Sequence, residues 1–240
     1  MLSECLSRAS LVPSSPSTPM RFRLPAAVDK EPVNGWLHFS GAVLAAAALA
    51  LLVATAAHRG TARHVVGAAV FGASAVLMFG ASALYHLAHQ SPRRGVYRQL
   101  DHSMIYVFIA GTYTPICLCA LWGTWLGAPM LILVWVLAAL GVLQKVTWPD
   151  APRGLEVALY LGLGWLAAPA TRPLLQAAPT GTVPWIVVGG VLYTIGALFY
   201  WRKWPRGIPG RFGFHELWHV FVLAAATSHG VAIFRMVTAG

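Results

Sequence analysis

His215 and His219 lie four positions apart, the spacing that puts two side chains on one face of a helix. Two imidazoles side by side are suited to holding a single metal ion. Ser82 and His86 repeat that spacing, so a hydroxyl and a third imidazole also share a face. Three neutral histidine nitrogens with one position left to water form a zinc site of the catalytic type, which can bring the water's pKa to about 7. Asp101 is the carboxylate best placed to orient that water or take its proton. Ser82 could orient a ligand or donate to a developing oxyanion.

Plainer readings stand beside these. A single histidine in an apolar helix is more often a hydrogen-bonded packing residue. Ser82 can bond back to a helical carbonyl, and Asp101 can simply cap the helix that follows it. His89 and His102 read as interfacial and solvated, His58 and His64 as loop residues, and His229 as structural. His215-Glu-Leu-Trp-His219 also matches H-E-x-x-H, the zincin pattern with glutamate as general base. That reading needs a third ligand downstream. The metzincin spacing places it at Ala225, which cannot coordinate, and His229 is the sole later candidate. Glu216 reads better as a first-turn residue that complements the helix dipole.

The elements that must carry these residues follow from composition. Of 240 residues, 58% are hydrophobic and 10% charged, against about 25% charged in a soluble domain. Lipid is therefore the expected solvent. Seven segments approach the length and apolarity of a membrane span: 35–57, 65–88, 103–122, 129–147, 154–170, 184–201 and 214–236. The fifth is short and interrupted by Gly162, Gly164 and Pro169, and Pro/Gly turns fall between spans at 151–154 and 207–210. The expected fold is an all-α membrane protein of seven transmembrane helices over residues 29–240. It follows a disordered tail, residues 1–28, rich in Ser, Pro and Arg and without a signal-peptide apolar core.

A net charge of +10 would point to nucleic acid in a soluble chain. Here it labels topology. With the N-terminus inside, the tail and loops two, four and six hold Arg8, Arg21, Arg23, Lys30, Arg93, Arg94, Arg98, Lys145, Arg153, Arg202, Lys203, Arg206 and Arg211. The outer side keeps only Arg59, Arg63, Arg172 and Arg235. The positive-inside rule then places the N-terminus in the cytoplasm and the C-terminus outside. In that orientation His38, Ser82, His86, Asp101, His215 and His219 all fall near the cytoplasmic face, a convergence that hydropathy alone does not require. Cys5, Cys117 and Cys119 have neither disulfide nor metal spacing.

These residues carry a family resemblance over about residues 29–238. Glu31-x-x-Asn34-x-x-x-His38, Ser82-x-x-x-His86 followed by Asp101, and His215-x-x-x-His219 resemble, in order, the motifs of the hemolysin III family. That family is the bacterial branch of the progestin and adipoQ receptor group, and the stretch 100–118 looks typical of it. The resemblance implies seven helices and a zinc ion held near the inner face of the cell membrane by His86, His215 and His219, with Ser82 and Asp101 at the water. It also implies that Glu31, Asn34 and His38 brace the site. The wider superfamily includes alkaline ceramidases, so hydrolysis of lipid amides or esters is one expectation. The others are a sensor or receptor with structural zinc, and a cytolytic protein. A transporter fits less well, because the polar residues gather at one face and not at the midplane. The expected partners are bilayer lipid and a lipid substrate or ligand, with no nucleic acid. The Gly-rich sixth span permits close packing within or between chains and leaves the oligomeric state open.

Overall fold

A computed structural model describes residues 31–206 and 212–239, with side chains from residue 33. The expected tail, the 207–210 turn and the side chain of Glu31 lie outside these residues. The described chain is helical throughout: α1 (Glu31–Arg59), α2 (Ala62–Leu87), α3 (Arg94–Pro115), α4 (Gly127–Thr147), α5 (Arg153–Gly164), α6 (Thr171–Ala177), α7 (Thr182–Arg202) and α8 (Phe214–Thr238). A π turn, Ile116–Ala120, extends α3, and a 3-10 turn, Trp165–Ala170, joins α5 to α6.

The six long helices are each apolar and long enough to cross a membrane. The remaining pass is the broken α5–α6 segment, so the seven-helix count holds. It breaks where the sequence carries Gly162, Gly164 and Pro169, residues that weaken a helix or remove a donor from it. Tyr113 from α3 stabilises the break. Its hydroxyl donates to the Gly164 carbonyl at 2.7 Å and accepts from the Ala167 N–H at 2.8 Å, satisfying groups that the interrupted helix no longer pairs.

Most span boundaries match the hydropathy reading closely, but the fifth pass runs on to Ala177 instead of ending at 170, and the third starts early. α3 begins at Arg94, nine residues before the expected start. Asp101 is therefore not the residue that caps this helix; it lies two turns inside it and is buried. Consecutive helices pack as neighbours from α1 to α4, α7 packs on α5 and α8, and α8 closes against α1. Large apolar residues such as Leu44, Leu51, Ile132 and Leu175 face outward, as expected where lipid replaces water. At one end of the bundle Arg98 bonds Asp150 at 2.6 Å, and at the other Arg235 bonds the Thr180 carbonyl at 2.6 Å.

Candidate metal centre

Among the described residues the buried His, Asp, Glu and Lys side chains, His38, His86, Asp101, Lys145, Glu156, Glu216 and His219, gather near one end of the bundle with Asn34 and Ser82, whereas buried hydroxyls such as Ser74, Thr112, Thr182 and Ser228 are spread along it. Histidines from the first, second and last helices meet there. One ligand nitrogen from each of His86, His215 and His219 lies within 4.8 Å of the other two. The His215 and His219 rings stack at 4.8 Å, as their spacing on α8 dictates, and the His86 ring meets them edge-on at 5.1 and 4.9 Å.

His38 approaches from behind. Its Nε2 lies 2.7 Å from His219 Nδ1, and its ring packs edge-on against Phe79. A contact of this kind fixes the tautomer and the ring plane of its partner. Nδ1 of His219 is thereby engaged, while its Nε2 is buried without a hydrogen bond. A buried bare nitrogen is costly unless it meets a donor or a metal. The donor set thus fits a metal ion of zinc type.

His215 and His219 of the cluster line one end of a cavity of about 230 Å³, and His86 meets them from outside its lining. Ser82, Asp101, His215 and His219 line that end together with His38. Residues from Asp101 to Tyr113 of α3, with Ile116 of the π turn, form one wall, a rise of about 22 Å. Beyond the polar end the walls are mainly apolar, with Met78, Phe108, Leu174, Val183 and Val222 among them.

The other expected residues are placed as follows. Asn34 is buried one turn before His38 and does not line the cavity. Glu216 is buried, and its Oε2 accepts the Gly213 N–H at 2.8 Å, so its carboxylate caps the start of its own helix. His102 is not a solvated interfacial residue. It lines the cavity with its Nδ1 3.9 Å from Glu156 Oε2. Glu156 in turn forms a buried ion pair with Lys145. Their signal was present as opposite charges eleven positions apart across a short Pro-containing turn, a spacing that brings adjacent helix ends together.

The Haemolysin-III related family matches residues 26–230. The chain is 35% identical to the Hemolysin-3 homolog of Bacillus subtilis (strain 168) over 202 residues, covering 84% of this chain and 91% of that protein. It is 35% identical to Hemolysin-3 of Bacillus cereus over 205 residues, covering 85% and 90%. The Adiponectin receptor protein of Drosophila melanogaster is 26% identical over 244 residues, covering 93% of this chain and 54% of that protein. Together with six apolar spans, these matches make the protein a multi-pass integral protein of the cell membrane, and the chain belongs to the Haemolysin-III related family.

Proposed function

We propose that the protein is a zinc-dependent hydrolase of lipid amides or esters, working near the cytoplasmic face of the membrane. One observation carries this reading: three histidine nitrogens converge at the end of an apolar cavity that also bears Asp101 and Ser82. His86, His215 and His219 would hold the ion. Zinc in such a site supplies Lewis acidity, polarising a carbonyl and acidifying a water. The chain's own residues do the rest. His38 holds His219 in its metal-binding tautomer. The apolar walls take the lipid chain and exclude bulk water, so its carbonyl rests at the polar end. Asp101 accepts the proton of the attacking water and returns one to the leaving nitrogen or oxygen. The Ser82 hydroxyl donates to the oxyanion as it forms. The distribution of basic residues, with thirteen of seventeen on one side, supports a cytoplasmic N-terminus and an inward-facing site.

The test is release of fatty acid from N-acyl amides and acyl esters by purified zinc-loaded protein. Asp101→Asn should lower turnover at least about a hundredfold; full activity in that variant removes Asp101 from the chemistry.

A sensor with structural zinc is the second reading, favoured by the similarity to the adiponectin receptor protein of Drosophila. It predicts zinc-dependent stability without turnover. A structural zinc ordinarily has four protein ligands, and the cluster here supplies three. Lysis of added red cells that survives loss of the histidines would favour the cytolytic reading instead.

A further inference from the structure

His229 lies on the same face of α8 as His215, His219 and Val222, and all four line the cavity. It sits ten residues beyond His219, a rise of about 15 Å, among mainly apolar walls. Its ring fits against α7 because position 189 is glycine: a Cβ there would overlap the imidazole. From this groove His229 Nε2 lies 3.1 Å from the Ile186 carbonyl. A carbonyl only accepts, so Nε2 carries the proton, and in the neutral imidazole Nδ1 is left as a bare acceptor. Nδ1 is buried without a hydrogen bond, and so is the hydroxyl of Tyr193, whose ring centre is 5.7 Å away and which also lines the cavity. One group thus needs a donor, and its neighbour can donate.

We propose that His229 and Tyr193 form a second polar subsite, deep in the cavity, that recognises a hydroxyl group in the middle of a lipid acyl chain. A hydroxyl answers both residues at once, donating to His229 Nδ1 and accepting from Tyr193. A plain methylene at this depth answers neither. Position follows from the rise along α8. With C–C bonds of about 1.5 Å, an extended chain advances about 1.3 Å per carbon. A carbonyl held at the metal-site histidines therefore places the subsite about twelve carbons away. The inference rests on the cavity being a lipid site, as proposed above, but not on hydrolysis.

The experiment is equilibrium binding of stearic, 12-hydroxystearic and 2-hydroxystearic acids to the purified full chain in detergent, read by intrinsic tryptophan fluorescence. The 12-hydroxy acid should bind about tenfold more tightly than stearic acid, as two satisfied hydrogen bonds warrant. The 2-hydroxy acid, whose hydroxyl stays beside the carboxylate, should bind like stearic acid. Tyr193→Phe removes one oxygen and keeps the ring, and His229→Leu removes the acceptor. Each should bring the 12-hydroxy preference, taken as the ratio of the two acids' affinities within the same variant, towards one. Equal affinity for the 12-hydroxy and unsubstituted acids, as resident water at the subsite would give, overturns the proposal. So does a preference that survives both variants, or equal gain from the 2-hydroxy acid. Binding of none of the acids overturns the lipid reading of the cavity as well. A 12-hydroxy preference in a protein without turnover supports the subsite and counts against the hydrolase alone.

Discussion

Lys145 and Glu156 give the sharpest energetic prediction. The lysine is 1% exposed and the glutamate 7%, and the two pair directly between α4 and α5. His102, at 3.9 Å from the carboxylate, is beyond hydrogen-bonding range, so the two charges depend mainly on one another. Removing one leaves the other buried and uncompensated, which costs about 3–5 kcal/mol. Replacing both with apolar residues of similar size is near neutral, because the desolvation of two ions disappears with their attraction. Lys145→Met and Glu156→Leu should therefore each lower the midpoint of thermal unfolding by about 10 °C, taking about 2–4 °C per kcal/mol for a chain of this size. The double variant should unfold close to the native protein. The assay is thermal unfolding in one detergent at one pH for all four proteins. A double variant as unstable as the sum of the singles would refute the argument, since it would mean that each residue contributes through packing and not through the pair.

Two further outcomes follow from the same contacts. His38→Phe keeps the ring against Phe79 but removes the bond to His219. Zinc affinity, measured by chelator competition, should fall about 10- to 100-fold with the fold intact by circular dichroism; unchanged affinity would mean that His38 does not orient its neighbour. Tyr113→Phe leaves the Gly164 carbonyl and the Ala167 N–H without their partner. It should destabilise the protein by about 1–3 kcal/mol, with hydrogen exchange rising first between Leu163 and Ala170; a protein of native stability would show that the break is held by other contacts.

Much of this fold is legible in the sequence because lipid leaves few options. An apolar run of span length must be a helix, and the ends of α1, α2, α4, α7 and α8 follow to within a few residues. α3 is misjudged because its first turns carry Arg94, Arg98, Gln99, Asp101 and His102. Averaged hydropathy reads such a stretch as loop, although a helix can bury one polar face inside a bundle. The meeting of His86, His215 and His219 is legible in outline, from spacing on each helix plus matched depth. What pairs across helices is harder to read. The contact of His38 with His219 and that of Lys145 with Glu156 depend on which faces turn inward, and apolar faces that meet lipid and protein alike give little periodic signal. His229 packs as the sequence suggests, its ring seated on Gly189 and its Nε2 on the Ile186 carbonyl, although which helix would receive it could not be read from the sequence.

In the proposed site His86, His215 and His219 hold one zinc ion. Elemental analysis of the purified protein and of His215→Ala tests it most directly. About one zinc per chain is expected, lost in the variant while the helical fold persists. A native protein without metal after zinc loading, or a variant that keeps its full zinc content, would contradict it.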